Sequence, residues 1–260
     1  MDASKWDKHA GDYQRVFKAG ISDYNRRLIK FLLNSGMLYP GCKVLDVGCG
    51  VGKYGTYFAA LGCGVTLMDI SPEMLRRAEE NMQAFSTPWH TVQGDFNSVS
   101  PGEDAFAGGF DLSMSTMSPA IHDLATVKKL SAMTHGWCLV TNFVSWRQPI
   151  RDSFYRALGY DPVESMAGGV GSIGELEKAV RLAGYEPHLR YESYDWLDER
   201  SPVEAAEYLI RRHPAMDEND SELLKRATAS AAGLCDGRGV FRDEVNTQVA
   251  WLSWKTTKED

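Results

Sequence analysis

Lys43-Val44-Leu45-Asp46-Val47-Gly48-Cys49-Gly50-Val51-Gly52-Lys53-Tyr54-Gly55 decides how this chain folds. Val44 to Val47 is a short apolar run interrupted by a single acid, which reads as a buried strand. The five residues from Gly48 to Gly52 must then turn. Glycine permits the tight turn there and lets backbone N–H groups approach a ligand closely. An apolar helical pattern begins at Tyr54. The dinucleotide fingerprint G-x-G-x-x-G fits poorly, because the third glycine comes one residue early and Lys53 stands in its place. The spacing is instead Asp-x-Gly-x-Gly-x-Gly, with Asp46 two residues before Gly48.

Outward from this stretch, strands and helices alternate. Val65–Asp69 reads as the second strand, and Ser71-Pro72 supplies an N-cap with proline at the first helical position. The following helix carries Met74, Leu75, Ala78 and Met82 on one face to about Phe85. Strands are expected at Trp89–Gln93, Phe110–Ser115 and Trp137–Val144, with a helix over about Ala120–Met133. Alternation of this kind implies parallel pairing in a doubly wound sheet. Upstream, Trp6, Ala10, Tyr13 and Phe17, then Ile21, Tyr24, Leu28, Phe31 and Leu32, predict two helices with a break near Gly20. Downstream, Ser172 and Glu175 form a capping box for a helix to about Ala183. Tyr185–Trp196 is strand-like, helices are expected over 202–213 and 220–233, and Asn246–Lys255 reads as the last strand. The segment 145–171, with its Gly168-Gly169-Val170-Gly171 cluster, and the segment 198–244 read as helical insertions.

Two acids follow the next two strands. Asp69 ends the second strand, 19 positions beyond Gly50 (69 − 50), where an acid accepts the ribose hydroxyls of a bound adenosine. Gln93-Gly94-Asp95-Phe96 follows the third. Alone, Ser71 and Pro72 are explained by a helix cap, and Gly94-Asp95 by a turn. In this order the loop and the two acids resemble the class I S-adenosylmethionine-dependent methyltransferases, of the kind acting on small molecules, over roughly Lys43 to Val144. Asp69-Ile70-Ser71-Pro72-Glu73-Met74-Leu75 adds to the resemblance.

The resemblance implies a Rossmann-like, seven-stranded, mostly parallel α/β sheet, with helical additions at the N-terminus and in the C-terminal half. It implies S-adenosyl-L-methionine as cofactor, held by Asp46, Gly48, Gly50 and Gly52. Asp69 and Ile70 would lie at the ribose, Asp95 and Phe96 at the adenine, and Ser115 beside the methionine part. Trp6-x-x-x-Ala10-x-x-Tyr13 is similar to the opening of small-molecule members, where such a helix covers the cofactor and the tyrosine reaches its carboxylate. Residues 1–40 are therefore expected as an N-terminal helical lid on a methyltransferase domain of residues 41–260. Two alternatives stand beside this reading. One is a non-catalytic protein that binds S-adenosylmethionine or S-adenosylhomocysteine, and the other an NAD-dependent dehydrogenase, whose ribose Asp69 also suits.

Methyl transfer from a sulfonium needs a base only when the nucleophile must lose a proton. His122, with Asp123 beside it, is the candidate for that role; a surface residue in the first turn of a helix is the alternative. The segment Ser115-Thr116-Met117-Ser118-Pro119 lacks the Asn/Asp-Pro-Pro-aromatic signature with which relatives hold a planar amide or base nitrogen. The net charge is −7 with 43% hydrophobic residues, so no basic footprint for nucleic acid is present. A small-molecule acceptor is expected, with no nucleic acid or membrane partner. Five scattered cysteines and six histidines show no metal-binding spacing and fit a reducing cytoplasm.

Overall fold

The structure is a computed structural model and describes residues 2–163 and 172–257. The chain divides into two compact units. The first comprises Met1–Asn142, Gly169–Tyr191 and Ala250–Asp260, the second Phe143–Gly168 and Glu192–Val249. The glycine cluster of 168–171 lies outside the described residues.

The first unit opens with α1 (Ala3–Lys18) and α2 (Asp23–Asn34). Both are capped by a side-chain oxygen: Asp2 accepts from Ser4 N, and Ser22 accepts from Asn25 N. Strands β1 (Lys43–Val47), β2 (Gly64–Asp69), β3 (Trp89–Gln93), β4 (Phe110–Thr116) and β5 (Thr134–Arg147) follow, interleaved with α3 (Lys53–Ala60), α4 (Pro72–Met82) and α5 (Leu124–Ala132). Pairs β1–β2, β2–β3, β1–β4 and β4–β5 are all parallel. With β6 (His188–Ser193) and β8 (Phe241–Lys255), seven strands lie in the order β3-β2-β1-β4-β5-β8-β6. The order reverses between β1 and β4, and ligands of open α/β sheets bind at such a switch point, beyond the carboxyl ends of the strands.

Side chains of the sheet alternate between two faces. Leu45, Val47, Met68, Cys138, Val140 and Trp254 pack against Val127 and Leu130 of α5 and Leu176 and Val180 of α7 (Ile173–Leu182). Trp254 cannot leave its indole N–H unpaired in that core, and donates it to Ser131 Oγ at 2.9 Å. Trp251, of opposite parity on β8, donates to Tyr24 Oη of α2 at 2.9 Å. The period-two pattern thus places the two indoles on opposite faces of the sheet, one against α5 and the other against α2.

The second unit holds β7 (Trp196–Arg200), antiparallel to Phe241–Val245 of β8. It also holds α6 (Pro149–Ala157), α8 (Pro202–Arg212) and α9 (Ser221–Gly233). Phe154, Tyr155, Leu209, Ala227 and Phe241 form its core. Ser201 and Glu204 make a reciprocal capping box at the start of α8. Among the described residues, no helix is long and apolar enough to cross a membrane.

Several boundaries differ from the sequence reading. Tyr185–Trp196, read as one strand, becomes β6 and β7, so β7 is a strand additional to the seven. The break is held by Thr247: its N–H donates to Asp195 Oδ1 at 2.8 Å, and it accepts Tyr194 N at 3.1 Å. The last strand begins five residues earlier than expected, at Phe241 and not Asn246. The helix expected from Ala120 starts at Leu124, because Asp123 caps it with a Thr126 capping box. That leaves His122 ahead of the cap and outside the first turn.

The β4–β5 register shifts: Phe110 faces Thr134, but Leu112 faces Trp137. The extra residue of β5 is accommodated at Gly136, where a Cβ would lie 2.1 Å from the Asp111 carbonyl oxygen. Neither backbone can yield cheaply. Gly136→Ala is expected to lower stability by at least about 2 kcal/mol in a urea titration.

Candidate active site

The glycine loop is fixed to the end of β2 by its own backbone. Gly48 N and Cys49 N donate to the Met68 carbonyl at 2.8 and 3.0 Å. Gly50 N donates to Asp69 Oδ2 at 2.9 Å, while Ser71 N donates to Asp69 Oδ1 at 2.9 Å. The loop N–H groups expected to face a ligand are thus partly engaged by β2. Gly48 (φ +73°) has the further role of admitting the end of β4: a Cβ there would meet Ser118 Oγ at 2.1 Å. Gly52 (φ +76°) begins α3 with no side-chain cap, and a Cβ would come within 3.1 Å of Ala78 Cβ on α4.

Two carboxyls end up buried beside this loop. Asp46 is 1% exposed, and neither of its oxygens has a hydrogen-bond partner among the described residues. Burial, reinforced by the charge of Asp69, pushes its pKa up to about 7. Asp69 is 8% exposed. Burial raises its pKa too, against the lowering effect of the backbone N–H groups of Ser71, Gly50 and Ile70. A carboxylate has about four lone-pair sites, more than these three backbone N–H groups fill. Ile70, next in the chain, is half-buried.

The β3 end is tied to the same place, since Gly94 N donates to the Asp69 carbonyl at 3.0 Å. Asp95 Oδ1 accepts Asn97 N and Nδ2 at 2.9 and 2.8 Å in a tight turn. Lys129 Nζ clamps that turn through the Phe96 and Asn97 carbonyls at 2.8 and 2.7 Å. The Phe96 ring belongs to the core, 2% exposed. Ser115 is fully buried, and its hydroxyl donates to the Val47 carbonyl at 2.9 Å, tying β4 to β1.

Beyond β4, Met117 takes the left-handed conformation (φ +51°) while its N–H donates to the Thr141 carbonyl at 2.7 Å. A non-glycine residue there stores strain that its surroundings must hold. The twist brings Ser118 against Gly48. Thr141 Oγ1, beside Thr116 in register, is buried without a partner among the described residues. Sequence reasoning missed Ser118 and Thr141; only the small residue before Pro119 offered a signal for the first. His122 Nδ1 lies 3.2 Å from the Pro119 carbonyl. A carbonyl only accepts, so Nδ1 is the donor in this contact. Nε2 lies 3.8 Å from Asp123 Oδ2.

Helix α1 lies on the loop. Ala10 is fully buried with Val51 and Met74, and Trp6 and Phe17 pack around them. Tyr13 is on the same helix with 42% of its surface exposed. Hydrogen bonds and packing therefore join Asp46's strand, Gly48, Gly50, Gly52, Asp69 and the Asp95 turn, while Ser115 and the Phe96 ring serve the core. Among the described residues, no group of three His, Cys, Asp or Glu residues is placed to hold a metal.

Residues 44–135 match a family described as a methyltransferase domain. A ribosomal protein L11 methyltransferase from Thermus thermophilus is 27% identical over 59% of this chain and 58% of its own length. A demethylmenaquinone methyltransferase from Tropheryma whipplei is 30% identical over 47% of this chain and 56% of its own length. The chain thus spans little more than half the length of these curated relatives. The crystal structure of magnesium protoporphyrin IX methyltransferase from Synechocystis, with bound S-adenosylhomocysteine, superimposes with a TM-score of 0.53 at 17% identity, covering 74% of this chain and 90% of that one. At that identity the likeness establishes the fold.

The raised pKa of Asp46 has a consequence for stability. Its native value of about 7 lies above that of an unfolded aspartate, so between roughly pH 4 and pH 7 the native state holds the extra proton. Stability contributed by this group is therefore lost as pH rises through that window, by up to about 4 kcal/mol. Urea midpoints of the ligand-free wild type and Asp46→Asn should agree near pH 4 and separate progressively toward pH 8, with the variant the more stable. Equal pH slopes in the two proteins would show that Asp46 is not the buried charge.

Proposed function

We propose that this chain, which carries a methyltransferase domain of the class I S-adenosylmethionine-dependent family, transfers a methyl group from S-adenosylmethionine to a small-molecule acceptor by in-line displacement. The observation that carries the reading is the buried pair Asp46 and Asp69, one without a hydrogen-bond partner among the described residues and the other holding the glycine loop. Two desolvated acids at a switch point favour a ligand with a net positive charge and polar hydroxyls, which describes S-adenosylmethionine. They repel the pyrophosphate of a dinucleotide.

On this reading Asp69 accepts ribose hydroxyls with its remaining lone pairs, and Ile70 lies alongside. Gly48, Gly50 and Gly52 keep the loop free of side chains so that a ligand can approach the backbone. Asp46 supplies negative charge to compensate a cation. The Asp95 turn receives the adenine amino group, and the backbone after it completes that pocket. Residues 1–40 cover the cofactor, with Tyr13 reaching its carboxylate. When bound, S-adenosylmethionine supplies a methyl group on a positively charged sulfur with a neutral thioether as leaving group, so alignment accounts for most of the acceleration. His122 Nε2 takes the proton of an acceptor that must lose one.

A small-molecule acceptor is supported by the net charge of −7 and by the absence of the planar-nitrogen signature at Ser115–Pro119. Of the two curated relatives, the demethylmenaquinone methyltransferase is named for a small molecule and the other for a ribosomal protein.

Calorimetric titration with S-adenosylmethionine, S-adenosylhomocysteine and NAD tests the reading. The two adenosyl ligands should bind and NAD should not; the reverse would restore the dehydrogenase. Asp69→Ala should weaken S-adenosylhomocysteine by about 1.5–3 kcal/mol, one to two orders of magnitude. Affinity for S-adenosylmethionine should strengthen from pH 6 to pH 8, because only ionised Asp46 compensates the cation. Asp46→Asn should remove that dependence.

A further inference from the structure

Helix α1 meets the site with one face, and that face is not purely apolar. Trp6, Asp7, Ala10, Gln14 and Phe17 follow one another at helical spacing. Ala10 contributes packing. Asp7 and Gln14, seven residues or two turns apart, each make a specific polar contact.

Asp7 Oδ1 accepts a short hydrogen bond from Ser71 Oγ and a longer one of 3.4 Å from Glu73 N. Ser71 is already committed on both sides: its Oγ accepts Met74 N at 3.1 Å, and its N–H donates to Asp69 Oδ1. Asp7 thus adds an anionic cap at the positive end of α4 and holds the turn that aims Asp69. Gln14 makes the second contact. It exchanges two hydrogen bonds of 3.0 Å with Asn81 on α4, and Asn81 Nδ2 also donates to the Val51 carbonyl at 2.9 Å. Gln14 is 9% exposed. A desolvated amide pair contributes little net stability over an apolar pair of the same shape, but it fixes orientation. The orientation fixed here is that of the Val51 carbonyl, between Gly50 and Gly52.

We infer that α1 is a positioning element for the cofactor cradle: Asp7 sets the Asp69 turn, and Gln14, acting through Asn81, sets the glycine loop. This inference rests on the reading of that cradle as an S-adenosylmethionine site. Binding in the cradle and docking of α1 are then linked, and by reciprocity each strengthens the other.

The test uses the full chain with Gln14→Leu, Asn81→Ala and the double variant, titrated with S-adenosylhomocysteine and followed by amide hydrogen exchange with and without it. Gln14→Leu should weaken binding about three- to tenfold in a protein that stays folded, with a lowered urea midpoint because the part-buried Asn81 amide loses its partner. It should also speed exchange at Gly50 and Gly52 in the ligand-free protein. The double variant should bind no worse than Asn81→Ala alone, because both residues act through one contact. S-adenosylhomocysteine should slow exchange across α1 in the wild type. Unchanged affinity in a folded Gln14→Leu, or effects of the two substitutions that multiply, overturns the inference. If no protein binds S-adenosylhomocysteine but loop exchange still quickens in ligand-free Gln14→Leu, the positioning role stands and the proposed cofactor falls. If loop exchange is also unchanged, both fall.

Discussion

The hydrogen bond from Gly50 N to Asp69 Oδ2 joins the turn after β1 to the carboxyl end of β2, and much of the first unit is arranged around it. Parallel strands have independent carboxyl ends, because each β-α-β crossover carries the chain back to the opposite edge before the next strand begins. Here the ends are gathered by side chains and backbone together. Met68 takes two loop N–H groups, Asp69 takes the loop and the α4 turn, and the Asp69 carbonyl takes Gly94 after β3. From the other side of the switch point, Ser118 presses on Gly48, and only the missing Cβ admits it. Four successive strand ends therefore form one rigid edge.

This rigidity is set against an electrostatic cost. A protein selected for stability alone would not bury Asp46 without a partner, since a leucine or asparagine would fit with less penalty. The acid persists beside a second acid whose burial raises its own pKa. Strain at Met117 and the Thr141 hydroxyl, which has no partner among the described residues, lie at the same edge of the sheet. Functional sites are where such local violations accumulate, because the groups are arranged for a ligand and not for one another.

The parts of this site that were legible in sequence are those whose chemistry depends on local spacing. Glycine at positions 48, 50 and 52, an acid two residues before the loop, and acids at the ends of the next two strands are backbone and turn requirements. They are written in order along the chain. The Ser172 and Ser201 capping boxes were legible for the same reason. What was not legible depends on partners distant in sequence. Ser115 has the position of a cofactor contact, but Val47, 68 residues away, takes its hydroxyl. Phe96 follows the Asp95 turn, yet its ring is drawn into the core. The break between β6 and β7 is made by Thr247, far downstream. Nothing near Gln14 or Asn81 announces that each would find the other.

The same geometry explains why an acid at the end of β2 does not by itself imply a dinucleotide. In the dinucleotide fold, a helix N-terminus and open loop N–H groups receive the pyrophosphate, so the site must offer positive potential. In this loop the N–H groups of Gly48, Cys49 and Gly50 are turned to Met68 and Asp69. Asp46 lies desolvated behind them, and Asp7 of α1 caps the nearby N-terminus of α4 with a further negative charge. Each of these features makes the potential at the strand ends more negative. The fingerprint's missing third glycine is then more than a defect of pattern. Gly52, having no Cβ, lets the start of α3 at Lys53 lie close against Ala78 of α4. The loop end that results carries the oxygens of two buried acids, Asp46 and Asp69.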